Sequence, residues 1–263
     1  MLTWSIGLVS IALGIAYMSL GVLACFVVLV DRKVLGVSQF GLGFALMASS
    51  CGPHHLLHGR HALAGLDVSA TIALATVIGL PCGLVFVALR IEAMLGGRGD
   101  RFVIGTPNWL AVSPIGFLLA AGMIVGAEVT APGFRLDLWS FVVLPNLVVT
   151  VTYALVGWPL IRTQFRRRCE VGGWSLSGLA LAGIFPTCAL THLTYALSAG
   201  GDVHTGIVDL WGVPASLYFL WVVRALYRDA IFDWNRRPVA GVRGRASRPS
   251  PWSGETIAAD PLP

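Results

Sequence analysis

Seven apolar stretches run along this chain, each close to the roughly twenty residues that a helix needs to cross a bilayer. They cover about 4–30, 39–60, 66–89, 108–128, 138–161, 174–198 and 205–227, with short segments rich in Gly, Pro and charge between them. Of the 263 residues, 56% are hydrophobic and 12% charged, too few polar groups to wet the exterior of a water-soluble domain. The expected fold class is therefore an all-α membrane protein with seven transmembrane helices in residues 1–233, its main partner the lipid bilayer and its location the plasma (inner) membrane. Met1 to Leu8 carries no basic residue and no small-residue cleavage site follows, so the first span is expected to be retained. Beyond Asp233 the composition turns to Pro, Gly, Ser and Arg, which predicts a disordered cytoplasmic tail over 234–263.

Charge then orients the spans. A net charge of +5 raises the question of nucleic acid, but the basic residues sit between spans and in the tail. Arg32, Lys33, Arg90, Arg98, Arg101, Arg162 and Arg166 to Arg168 fall in alternate loops, and seven more arginines follow from Arg224 onward. Together these are 16 of the 18 Lys and Arg, leaving Arg60 and Arg135 for the opposite side. Cytoplasmic loops carry such an excess, so the N-terminus is expected outside and the C-terminus inside, with no role for nucleic acid. All six histidines then lie at or near the outer surface, with Asp67, Glu128, Asp137, Asp202 and Asp209. The five cysteines fall mostly within spans, which argues against a disulfide framework.

The densest chemistry is Cys51-Gly-Pro-His54-His55-Leu-Leu-His58-Gly-Arg-His61. On a helix Cys51, His55 and His58 share one face, and His54, His58 and His61 form an overlapping stripe. Thiolate with imidazole is a soft donor set, suited to Cu(I), Zn or haem iron rather than Mg or Ca. The bland alternative is that the imidazoles rest at headgroup level, and it weighs most for His61 and His58. It weighs least for His55 beside Cys51, because an ionisable group inside a span points to function. The sixth span repeats the spacing in Cys188-Ala-Leu-Thr-His192, again beside a proline, Pro186.

The two stretches correspond more widely. Tyr17 lies 34 residues before Cys51, and Tyr153 lies 35 before Cys188. Twelve residues beyond His55 and His192 stand the polar residues Asp67 and His204. The chain therefore reads as a 3+1+3 parallel internal repeat: repeat A over about 4–89, a linking helix over 108–128, and repeat B over about 138–227.

At Cys51-Gly52-Pro53-His54-His55-Leu56, with the small residues around Ala16-Tyr17-Met18-Ser19, the first ninety residues resemble the membrane sensor domain of ethylene receptors and related bacterial sensors. Spans five to seven resemble it more faintly, through Cys188 and His192. The resemblance implies a copper cofactor, with Cys51 and His55 as Cu(I) ligands and Cys188 and His192 as their counterparts. Where that family has an acidic residue in its first helix, this chain has Ser10, and Asn146 in the second copy. The family's third-helix lysine has no counterpart, since Lys33 is the only lysine. A sensor of this design would signal through a protein partner on the arginine-rich cytoplasmic face.

The first reading is thus a Cu(I)-binding sensor or copper-handling protein, binding rather than catalytic, with one ion on all four ligands or one on each pair. The alternative is an electron-transfer subunit holding haem b between His55 and His192. A third reading is a zinc-dependent membrane hydrolase, with His54, His58, His192, His204, Asp67 and Asp209 supplying a zinc site and an acid–base carboxylate. His54, His58, His61, His204, Asp67 and Asp209 also stand as additional ligands for a metal on the Cys-x-x-x-His pairs. Ser50, His54 and Asp67 are loosely similar to the Ser/His/Asp pattern of seven-span ceramidase-like hydrolases. A retinal protein is excluded, because a Schiff base needs a lysine within a span and Lys33 lies in a loop. A channel or transporter would use Asp209, Asn146 and the helices broken at Pro114, Pro145 and Pro214.

Overall fold

The structure is a computed structural model that describes residues 2–65, 70–95, 99–104, 109–198 and 203–225. The tail 234–263 and Asp67 lie outside the described residues. Seven helices are present among them: α1 (Leu2–Leu35), α2 (Gln39–Leu63), α3 (Ala70–Met94), α4 (Trp109–Val129), α5 (Val143–Val171), α6 (Leu176–Ser198) and α7 (Val203–Ala225). Five are long and apolar enough to cross a membrane, namely α1, α3, α4, α5 and α6. The expectation of seven spans is met in helix number, and α2, which carries the histidine-rich stretch, is less apolar than these five.

Local chemistry explains the helix ends. Ser38 caps α2 by accepting the Gly41 N–H at 3.1 Å. Helix α5 begins at Val143, later than the expected 138, with Pro145 in its first turn, where a missing N–H costs nothing. It then runs well past 161 through its arginines and stops at Gly172, whose φ of 69° closes a bond to the Arg168 carbonyl.

A feature absent from the sequence expectations is a two-stranded antiparallel ribbon, β1 (Phe102–Ile104) with β2 (Gly173–Ser175). It ties the α3–α4 connection to the α5–α6 connection, placing both at one end of the bundle. Asp100 secures the same end by accepting the Ser177 N–H at 2.9 Å and the Ser175 hydroxyl at 2.6 Å.

Around the core, α1 packs on α2 and α3, and α5 packs on α6 and α7. Helix α3 also lies against α6, and α7 against α2. Helix α4 rests outside, on α3 and α6, through Ala75, Ala121 and Leu190. Large apolar side chains point outward from α1 (Trp4, Leu8, Ile15, Val22, Phe26) and from α4 (Val112, Ile115, Leu118, Leu119, Met123). Such a surface fits acyl chains rather than water.

Helices α1 and α2 come close enough for backbone to meet backbone. A Cβ on Gly59 would lie 2.7 Å from the Gly7 carbonyl oxygen, and one on Gly14 would lie 2.9 Å from that of Gly52. Only glycine permits this contact, which sets the position of the Cys51–His58 stretch against α1.

Candidate metal centre

The site lies inside the bundle toward the C-terminal ends of α2 and α6 and the N-terminal ends of α5 and α7. Those ends are opposite the β1–β2 ribbon. It has two layers.

The deeper layer is sulfur and phenol. Cys51 of α2 and Cys188 of α6 are both buried as free thiols, and they neighbour each other closely enough for their sulfurs to interact. Cys51 Sγ lies 3.1 Å from Tyr153 Oη, and Tyr17 of α1 is buried in the same core cluster. The same core cluster holds aromatic rings, with Phe44 stacked on Phe86 at 5.3 Å and Phe185 on Phe219 at 5.4 Å. The thiols thus sit in a dry aromatic cage.

The second layer, about one helical turn toward the ends, is imidazole, carboxylate and amide. His54, His192 and Asp209 are the group of three or more metal-capable side chains among the described residues whose ligand atoms all lie within 4.8 Å of one another. They are 3%, 3% and 1% exposed, so no bulk water reaches them. The rings of His54 and His192 stand 4.5 Å apart. His54 Nδ1 lies 3.0 Å from Asp209 Oδ1, and His192 Nδ1 lies 3.8 Å from the same oxygen. Asp209 Oδ1 thus has two imidazole nitrogens at ion-pair distance and, among the described residues, no hydrogen-bond partner.

The remaining atoms of this layer are held tightly. Asn146 donates from Nδ2 to Asp209 Oδ2 at 2.7 Å and to the Val142 carbonyl at 2.9 Å, and its Oδ1 lies 2.6 Å from His192 Nδ1. His54 Nε2 pairs with His58 Nε2 at 3.0 Å, and His58 Nδ1 pairs with the Tyr195 hydroxyl. Hydrogen-bonded partners of this kind fix the orientation of ring and carboxylate.

Several sequence expectations change in detail. The two Cys-x-x-x-His motifs do meet, but through their cysteines. His55 turns toward α1, where its ring lies 5.6 Å from that of Tyr17. The α2 histidine grouped with His192 is His54, one residue earlier. The face that α2 turns to α6 and α7 is therefore Cys51, His54 and His58, at i, i+3 and i+7. His61 is half-buried and outside the group of three, and the side chain of His204, like Asp67, lies outside the described residues. Ser50 is buried against Gly212 of α7, and Asp67, its counterpart in the hydrolase-like pattern, lies outside the described residues. Tyr195 was not foreseen. Its place three residues after His192, on the same helical face, was the available signal.

No family model, no curated protein and no solved structure matches this chain.

Proposed function

We propose that this chain is a membrane-embedded metal-binding protein that holds Cu(I) between Cys51 and Cys188, as a copper-dependent sensor or a copper-handling protein. The observation that carries the reading is the meeting of two buried thiols from separate halves of the chain, in a cage with no bulk water. Thiolates are the donors that Cu(I) selects. A contact such as Tyr153 Oη to Cys51 Sγ is the kind of outer partner that orients such a ligand. Of the two motifs' imidazoles, His55 lies beside Tyr17 of α1 and His192 is held in the outer layer by Asn146. Haem lacks comparable support: the ring of His54 stands 4.5 Å from that of His192 and 6.4 Å from that of His55, in the region a porphyrin would need.

The reading includes an N-out, C-in orientation in the plasma membrane, with the metal centre in the outer half and a protein partner at the arginine-rich inner face. It also includes the 3+1+3 repeat. Exchanging α1 to α3 with α5 to α7 carries the helix contacts into one another: α1–α2 into α5–α6, α1–α3 into α5–α7, and α3–α6 into α7–α2. An axis of that kind would bring equivalent cysteines together.

The test is copper content per purified polypeptide after loading with Cu(I). The wild type should hold about one ion, and Cys51→Ala with Cys188→Ala should abolish it. Full retention of copper in that double variant would sink the reading.

A further inference from the structure

We infer a second metal site, distinct from the thiol pair: His54, His192 and Asp209 form a binding site for a divalent borderline cation of the Zn²⁺ class. It does not depend on copper at the cysteines.

Two observations carry it independently. The first is geometric. Two donors bound at 2.0–2.2 Å to a tetrahedral ion stand roughly 3.3–3.6 Å apart. The distances from Asp209 Oδ1 to His54 Nδ1 and His192 Nδ1, 3.0 and 3.8 Å, bracket that value. The three donors are thus already placed around one point. The second is the state of the carboxylate. Asp209 Oδ1 is fully buried, has no hydrogen-bond partner among the described residues and faces both imidazoles. A carboxylate oxygen in an apolar bundle is costly without a balancing positive charge, and a cation held between it and the imidazoles supplies one.

The donor chemistry selects the ion. Two imidazoles and one carboxylate suit Zn²⁺ and its borderline neighbours, whereas Mg²⁺ and Ca²⁺ take oxygen-rich sets and Cu(I) takes sulfur. The supports on the far atoms are those such a site requires. Asp209 Oδ2 is held by Asn146, and the far nitrogen of His54 is held by His58. For His192 to bind through Nδ1, its hydrogen moves to Nε2. Asn146 Oδ1, released from that ring, then becomes a fourth oxygen donor beside the same point.

The experiment uses the full-length protein in detergent, stripped with a chelator and titrated with Co²⁺, whose visible bands report tetrahedral coordination. Zn²⁺ is then added in competition. The expected result is one Co²⁺ per chain, with visible bands, no thiolate-to-cobalt charge-transfer absorption, and displacement by Zn²⁺. Asp209→Asn should weaken Co²⁺ binding by at least about 100-fold and Asn146→Ala by about 10–100-fold, while Cys51→Ser with Cys188→Ser leaves it unchanged. His54→Gln provides the same loss should Asp209→Asn fail to fold, as judged by helicity and gel filtration. Three results overturn the site: no visible band in the wild type, a charge-transfer absorption that vanishes in the double-cysteine variant, or undiminished affinity in the folded Asp209 or His54 variant. Copper loss in the double-cysteine variant is measured separately, so the copper reading and this one fail independently.

Discussion

Replacing Asn146 by alanine tests the outer layer without any metal. Asn146 is fully buried and bridges three elements of the site: Asp209 Oδ2 at 2.7 Å, His192 Nδ1 at 2.6 Å and the Val142 carbonyl at 2.9 Å. An ordinary side-chain bond between membrane helices contributes only about 0.6 kcal/mol, because the unfolded chain in lipid also finds partners. The bond to a buried carboxylate belongs to a stronger class, about 1.5–3 kcal/mol. The bond to Val142 lies within the turn leading into α5 and adds little between helices. Asn146→Ala should therefore destabilise the metal-free protein by about 2–3 kcal/mol, read from reversible denaturation in detergent with chelator present. Asp209→Asn combined with it supplies the cycle, and a coupling of at least about 1 kcal/mol is expected for groups in one network. A loss below about 0.6 kcal/mol, the value of one ordinary interhelical bond, would refute the view that Asn146 supports a buried charge.

Three further outcomes concern the scaffold. Gly59→Val should cost about 1–3 kcal/mol by forcing α1 and α2 apart, since even a Cβ there would sit 2.7 Å from the Gly7 carbonyl. Gly122→Ala on α4, which meets open space, should be neutral or slightly stabilising in the same denaturation assay. Asp100→Ala removes both acceptors at the start of α6 and should cost about 1–2 kcal/mol, with faster hydrogen exchange at Ser177 and Gly178; unchanged exchange there would refute its capping role.

What was legible in the chain follows from the range over which each signal acts. Apolar runs near bilayer length are a local property, and all seven appear as helices. The Cys-x-x-x-His spacing is local too, and it marked two of the three helices that form the centre. The choice between His54 and His55 was not local. Both lie within a turn of Cys51, and α2 is enclosed on two sides, by α1 and by α7. Which imidazole faces the metal-capable group then depends on the glycine-mediated seat of α2 on α1, a contact between residues about fifty apart. Asp209 and Asn146 stood out as polar residues in apolar surroundings, but their pairing spans 63 residues and no periodicity encodes it. The β1–β2 ribbon was illegible for a similar reason. Three-residue strands carry no alternation long enough to register, and their pairing joins two loops distant in sequence.

The two layers also differ in how they relate to the proposed repeat. In that proposed repeat Cys51 and Cys188, with Tyr17 and Tyr153, would be equivalent residues, and a symmetric scaffold would bring them to its axis without further change. The outer layer has no such symmetry. Counting from the cysteines, the position of Asp209 in repeat B corresponds to Ile72 in repeat A, and counting from Tyr153 and Tyr17, that of Asn146 corresponds to Ser10. Helix α2 supplies His54 and His58, whereas α6 supplies His192 and Tyr195. The single buried carboxylate among the described residues, Asp209, faces imidazoles from both α2 and α6. Restoring symmetry through Ile72→Asp would add a second carboxylate where α3 has no amide to hold it, since Asn146 already spends its amide on Asp209. That variant should fold worse than wild type and gain no second Co²⁺. A second bound Co²⁺ in Ile72→Asp would show instead that the scaffold, and not the divergence of one copy, limits the outer layer to one site.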